Sequence, residues 1–369
     1  MDTIMKRRIS LCLIVFTMAT LLCAISEGTS ETISRDLLIQ LNRSELQTIG
    51  EIDGPIYVFG HNPPDSDSVC TSIGYAYILR QLGFDAQPVT LGPVNNETAC
   101  ILKSAGVEVP PILEDASGEN VVLVDHAEIS QSAEGLQDAN ILMIIDHHGS
   151  GTVTTGKPII YDARPIGSTA TIAWLRAINY GVDLDAPTSH VLLGAILSDT
   201  VNLKTDNTTE ADRAAVRFLS VQAGITDVDA FYQEMYRAQL SYEGMTDKEI
   251  LLSDMKEYET KETRYIIGIV NLYDVKEAPE MIKRMRTIMP DVLSETGAAF
   301  GYVKITIFHD NINVNYIVPS DDVAAELLDI GLGEQGTWED GTLVLNHGIS
   351  RKAVLVPAIT EALALHPTE

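Results

Sequence analysis

The sequence predicts an α/β fold in two parts: a parallel sheet with helices on both faces, then a smaller α+β unit with a mixed sheet. Three observations point there. Short apolar runs, IYVFG (56–60), DAQPVTLG (85–92), NVVLVD (120–125) and ILMIID (141–146), share the first half with helix-period segments; strands alternating with helices produce parallel sheets. The third and fourth runs are apolar without interruption, as strands covered on both faces are. Beyond residue 246, two strand-like runs, AAFGYVKITIF (298–308) and INVNYIV (312–318), are separated only by HDN, which gives that half antiparallel character.

Taken in order, residues 27–54 are polar and read as a spacer with a short helix. The first unit spans 55–240. Its opening strand ends at Gly60, and a helix from Ser68 to Leu82 is stopped by Gly83. Helical periods follow at 167–180, 187–197, 209–223 and 227–239. QLSYEGMT then has no clear period and supplies a linker at 241–246. The second unit, 247–369, reads as a helix (247–258), the strand RYIIGIVNL, a helix (277–289), the two strands above, a short helix (321–328), the strand TLVLN and a final helix from 357. No internal repeat is visible.

With 45% apolar and 21% charged residues the chain can bury a sizeable core. Acidic residues outnumber basic ones 52 to 25, a net charge of -27. Such a surface repels nucleic acid and anionic lipid, so an anionic substrate needs metals or a local basic cluster. Lys6, Arg7 and Arg8 precede an uncharged run of 17 residues from Ile9 to Ile25. Ala24 and Ser26 then match the small-residue cleavage pattern of a secretory signal. An uncleaved anchor is the alternative; either way the body is exported, with no stable membrane contact beyond residues 1–26. Cys70 and Cys100 are the cysteines of the body, and a bridge or two free thiols both remain open.

Candidate ligands gather where strands end. His61, Asp65 and Asp67 follow the first strand, Asp125 closes the third, and Asp146, His147 and His148 close the fourth, while Asp199 ends the helical run VLLGAILSD. In open α/β sheets, sites form outside the carboxyl ends of strands, so these segments converge. Separately, Asp65 and Asp67 read as helix caps, and Asp125 and Asp199 as turn residues. Together, unpaired carboxylates crowded with imidazoles suit Mn²⁺, Co²⁺, Fe²⁺ or Zn²⁺ better than Ca²⁺. Six groups exceed one tetrahedral shell, and a bridging carboxylate would hold two ions about 3.5–4 Å apart, the arrangement that hydrolyses phosphoesters and phosphoanhydrides. Lys256 and the pair Arg351–Lys352 are the basic groups of the second unit fitted to phosphate oxygens. His126, His190, His309, His347 and His366 have only a structural reading.

The set H-x-x-x-D-x-D, V-D-H at 124–126, D-H-H at 146–148 and S-D at 198–199 resembles the DHH phosphoesterase superfamily. With G-I-S-R-K at 348–352 it resembles more narrowly the family II, manganese- or cobalt-dependent inorganic pyrophosphatases, over residues 55 to 365. The resemblance implies hydrolysis of pyrophosphate to two phosphates, in a cleft between two domains, the second closing over the first. It implies two Mn²⁺ or Co²⁺ per subunit, one held by His61, Asp65 and Asp125, the other by Asp67, Asp125, His147 and Asp199, with a metal-bridging hydroxide as nucleophile and a further Mg²⁺ arriving with substrate. His148 would contact substrate and assist proton transfer, and Lys256, Arg351 and Lys352 would bind pyrophosphate oxygens. A homodimer is the candidate assembly. Pro63, Ala127 and Ala353 depart from the usual motifs. The alternatives are an exported exopolyphosphatase or other phosphoesterase of this superfamily, or a non-catalytic metal-binding protein.

Overall fold

The structure, a computed structural model, describes residues 34–50, 52–260, 263–308 and 314–365. The apolar segment 9–25 lies outside the described residues. Among those described, no helix is long and apolar enough to cross a membrane.

The first part runs α1 (Arg35–Ser44), β1 (Ile56–Phe59), α2 (Ser66–Gln81), β2 (Ala86–Pro88), α3 (Asn96–Ala105), β3 (Asn120–Val124), β4 (Asn140–Asp146), β5 (Ile160–Ala163), α4 (Thr169–Tyr180), α5 (Ala186–Asp199), α6 (Glu210–Ala223) and α7 (Val228–Gln239). Its five strands are all parallel, in the order β2-β1-β3-β4-β5. Alternation within strands divides the core. Val58, Val122, Val124, Met143 and Ile145 point into the larger cluster with α2 to α7. Phe59, Val121, Leu123 and Ile144 point the other way. Among the described residues the long helices thus cover one face, and the helical cover of the second is two short 3₁₀ turns, Ile129–Gln131 and Leu136–Asp138. The β3–β4 crossover, residues 125–139, carries those two turns and no α-helix.

The second part runs α8 (Asp247–Ser253), β6 (Met255–Glu259), β7 (Arg264–Leu272), α9 (Ala278–Thr296), β8 (Phe300–Ile307), β9 (Asn315–Pro319), α10 (Asp322–Leu332), β10 (Thr337–Glu339), β11 (Thr342–Leu345) and α11 (Val356–Leu365), the last entered through a π-helical turn, Arg351–Leu355. The sheet order is β10-β11-β9-β8-β7-β6; β7 and β8 pair parallel and the other pairs antiparallel, so the sheet is mixed as expected.

Helices α3 and α8 and strands β5, β6 and β10 differ from the sequence reading. The expected helix 247–258 stops at Ser253, and Met255–Glu259 form edge strand β6 against β7. MKEYE has good helix formers, but pairing with β7 overrides that weak preference. The sequence reading has no counterpart of helix α3 or of strands β5 and β10. A buried cluster stabilises the corner between α1, β5 and α4. Arg176 is 7% exposed and bonds Glu45 Oε1 at 2.7 Å, Asp162 Oδ2 at 2.8 Å and Tyr75 Oη at 2.9 Å, with Tyr180 Oη also in contact. Arg176→Met is expected to destabilise the chain by about 1–3 kcal/mol, because it removes the buried guanidinium's bonds to Glu45, Tyr75 and Asp162, while Asp162 keeps Arg164 Nε at 2.6 Å and Nη2 at 2.8 Å. Urea unfolding with a change below about 1 kcal/mol would show these bonds to be dispensable.

Candidate metal centre

The ligand candidates are presented by strand ends and helix ends. Gly60 lets the chain leave β1 against α2: a Cβ there would lie 2.0 Å from Ser68 Oγ and 2.7 Å from Ser68 Cα. His61 follows, then a cis peptide between Asn62 and Pro63. Asp65 caps α2, its Oδ1 accepting from Ser68 N at 2.9 Å, so the capping reading of this residue holds and leaves Oδ2 for another partner. Asp67 is fully buried and turns towards the start of α4. Its Oδ1 accepts from Thr71 Oγ1 and Ser168 Oγ at 2.9 Å and from Ala170 N at 3.1 Å, and its Oδ2 from Thr169 N at 2.7 Å. The first peptide N–H groups of a helix are unpaired donors at its positive end, which suits a carboxylate there. Asp125 follows β3 with φ +62°, a left-handed conformation that Asp tolerates better than most residues. Its N–H donates to Ile145 O at 2.9 Å, and its Oδ1 accepts from Thr169 Oγ1 at 2.9 Å.

These groups meet at Asp125. His61 Nε2 lies 3.3 Å from Asp65 Oδ2 and 3.4 Å from Asp125 Oδ2. His147 Nε2 lies 3.4 Å from Asp125 Oδ1 and 3.3 Å from Asp199 Oδ2. Ligand atoms of His61, Asp65 and Asp125 all lie within 4.8 Å of one another, as do those of Asp67, Asp125, His147 and Asp199. A third such set joins Asp125, His147 and His148. His148 is the outermost group, 55% exposed, with Nδ1 3.0 Å from Asp146 Oδ1; this bond, more than the opposing effect of burial, raises its pKa.

His147 shows that the residues suit metal ions. Its Nδ1 lies 3.0 Å from Ile166 O, and a carbonyl only accepts, so Nδ1 carries the hydrogen. In the neutral ring Nε2 then presents a lone pair to two carboxyl groups, and it has no hydrogen-bond partner. That arrangement repels unless a cation stands between, and a backbone-anchored imidazole is how proteins orient metal ligands. Electrostatics agree. Burial, then the charges of Asp67, Asp125 and Asp65, push Asp199 up to about 11. Burial and the charge of Asp67 drive Asp125 well above the carboxylate range. Burial would lower His61, yet hydrogen bonds to and charges on Asp125 and Asp65 outweigh it and raise the ring to about 10. Without cations this pocket retains protons that divalent ions would displace.

The expected phosphate-binding groups sit in the second part. Lys256, on β6, and Lys352 are exposed. Arg351 holds Asp254, Nη1 to its backbone O and Nη2 to Oδ1, both at 2.7 Å. Among the described residues, no hydrogen bond or ion pair joins these three to the ligand groups. Sequence reasoning missed Ser168 and Thr169, which orient Asp67 and Asp125, and buried Lys304, whose Nζ donates to Thr306 Oγ1 at 2.7 Å. Burial and the neighbouring charge of Arg351 lower the Lys304 pKa; the visible signal was a lone lysine inside an apolar strand. His126 is structural as read. Its ring nitrogens lie 2.9 Å from Val124 O and 3.0 Å from Ser132 Oγ, and burial holds it down at about 4.

Known families resolve what the geometry belongs to. Residues 55–180 match the DHH family N-terminal domain, and residues 233–362 the DHHA2 domain. A probable manganese-dependent inorganic pyrophosphatase of Bacillus licheniformis is 32% identical over 310 residues, covering 84% of this chain and 98% of that protein. A Bacillus cereus protein of the same name is 33% identical over 310 residues, 83% and 98%. The chain belongs to the manganese-dependent inorganic pyrophosphatase family. The crystal structure of a Methanococcus jannaschii protein named as a candidate family II inorganic pyrophosphatase superposes with a TM-score of 0.51 at 31% identity, over 83% of this chain and 99% of that one. The fold of the family is therefore the fold described above, and the DHH triplet, Asp146 to His148, lies at the carboxyl end of β4.

Proposed function

We propose that this chain hydrolyses inorganic pyrophosphate to two phosphates at a centre of two divalent metal ions, Mn²⁺ or Co²⁺, with Mg²⁺ arriving on the substrate. The observation that carries the reading is the division of six ligand groups into two sets sharing Asp125. Bound there, two cations would supply a water of lowered pKa and neutralise charge on the reacting phosphoryl oxygens.

The chain's own residues do the rest. His61, Asp65 and Asp125 hold one cation, and Asp67, Asp125, His147 and Asp199 the other. Thr169 and the start of α4 fix Asp67 and the Asp125 that both sets share. His148, exposed and hydrogen-bonded to Asp146, is placed to touch substrate and to pass a proton to the departing phosphate. Lys256, Arg351 and Lys352 bind the non-reacting oxygens, with Arg351 releasing Asp254 to do so. This supplies the cations that a chain of net charge -27 otherwise denies an anion.

Phosphate release from pyrophosphate, tripolyphosphate and a dinucleotide, each with Mn²⁺ or Co²⁺ plus Mg²⁺, tests the reading. Pyrophosphate is expected to be the best substrate, and release from the dinucleotide alone would sink it. Lys352→Ala is expected to raise KM by about tenfold or more, with a smaller change in kcat, because it removes a charge from binding and not from the reacting atoms. Unchanged KM and kcat would take Lys352 out of the site. We further read residues 1–26 as an export segment placing this activity outside the cytoplasm. Cell fractionation with sequencing of the mature N-terminus distinguishes cleavage from anchoring, and a wholly cytoplasmic, intact chain would refute export.

A further inference from the structure

Glu97 lies in the first turn of α3 and is 4% exposed. Its Oε2 accepts two hydrogen bonds, from Ser66 Oγ at 2.8 Å and from Ser198 Oγ at 2.7 Å. Neither serine is a ligand candidate, but each adjoins one. Ser66 stands between Asp65 and Asp67 at the start of α2, and Ser198 immediately precedes Asp199 at the end of α5. One carboxylate oxygen therefore ties the helix start that carries two ligand groups to the helix end that carries a third.

The placement is costly. Burial raises the Glu97 pKa, the two serine hydroxyls pull it back, and the charge of Asp65 pushes it further up. A buried acid beside other acids is not what helix packing alone would favour, since an apolar side chain would fill the space without the desolvation cost. The anchoring of its neighbours is also unequal. Asp67 is held by three donors around the start of α4 and by Thr71 of α2, and Asp65 by Ser68 N. Ser198, in contrast, joins the Asp199 end of α5 to the rest of the site through Glu97.

We propose that Glu97 is a positioning residue for the metal centre, setting the spacing between Asp67 and Asp199 and through it the affinity of the half-site they share with Asp125 and His147. The inference rests on the two-metal reading above. Its consequence is asymmetric: loss of the Glu97 tie loosens the half-site of Asp199 and spares the other, since His61, Asp65 and Asp125 do not depend on Ser198, and Ser66 beside Asp65 keeps Thr98 Oγ1 at 3.0 Å.

Calorimetric titration of the chelated full chain with Mn²⁺ reads this without any assay of turnover. Glu97→Ala and Ser198→Ala are each expected to weaken one of two binding steps by about 10–100-fold and leave the other within about threefold. Glu97→Gln keeps an oxygen able to accept both hydroxyls and is expected to stay within about threefold of the parent at both steps. Two parent-like steps in the Ala variants would overturn the proposal. So would a Gln variant as damaged as Ala, which would mean that charge and not hydrogen bonding matters. If Glu97→Ala fails to fold, Ser198→Ala carries the test, since it removes a single hydroxyl. A parent chain that takes up fewer than two Mn²⁺ would instead sink the two-metal reading, and this inference with it.

Discussion

Asp125→Ala is expected to leave Mn²⁺-containing buffer with little retained metal and to lose turnover by about a thousandfold or more. The reason is geometric. Asp125 Oδ1 faces His147 and its Oδ2 faces His61, both at 3.4 Å, so one truncation removes a ligand from both sets. Alanine also fits φ +62° less well than Asp, which adds about 1 kcal/mol of backbone cost. Asp125→Asn separates the two effects: it tolerates that backbone, keeps one oxygen, and is expected to retain more metal than Ala but to remain severely impaired. Metal content after gel filtration, read beside phosphate release, checks both variants. Activity within tenfold of the parent in Asp125→Ala would remove the bridging role.

The features legible in the sequence are those whose signals are local. The β1, β3 and β4 runs are apolar and short, and the candidate ligands stand within a few residues of their ends. His61, Asp65, Asp67, Asp125 and His147 could therefore be placed together from the chain alone. Asp199 was legible because it closes the long apolar run of α5. Helix α3 was not, because NETACILKSA is short and mixed, although Asn95 caps it and Gly106 ends it in a left-handed conformation. Glu97 was lost with it, and its partners Ser66 and Ser198 are 31 and 101 residues away. Thr169 and Asp125, 44 residues apart, are a similar case. Such contacts are made by the packing of helices, so no local period announces them. Strand β6 was misread because its pairing with β7 is a tertiary fact. The basic residues were legible as chemistry but not as geometry: Arg351 was marked for phosphate, and its bond to Asp254 was not foreseen.

Asp199→Asn is expected to do two opposite things, stabilising the chelated protein and removing most of the stabilisation that Mn²⁺ confers. In the cation-free pocket Asp199 is pushed up to about 11 and His61 to about 10, so the folded state holds protons that the unfolded chain would release. Stability from such raised groups is complete below their ordinary values and is lost as pH rises towards the folded ones, because there the folded state binds more protons than the unfolded state. Between about pH 6.5 and pH 10 both groups act in that direction, and the melting temperature of the chelated parent should fall across this window. Asparagine cannot ionise and takes the Asp199 contribution away. The chelated variant should gain on the order of 1–3 kcal/mol at about pH 8, about 2–8 °C, with a shallower fall in alkali. Mn²⁺ reverses the trend for the parent, since ligands must shed protons to bind metal and do so more readily as pH rises. The variant, with one half-site short of a carboxylate, should show a much smaller rise in melting temperature on adding Mn²⁺. Melting curves in chelator and in excess Mn²⁺, at several values of pH, separate these effects. Parallel curves for parent and variant in chelator would mean that Asp199 does not carry the uncompensated charge, and that the crowding of acids is relieved elsewhere in the pocket.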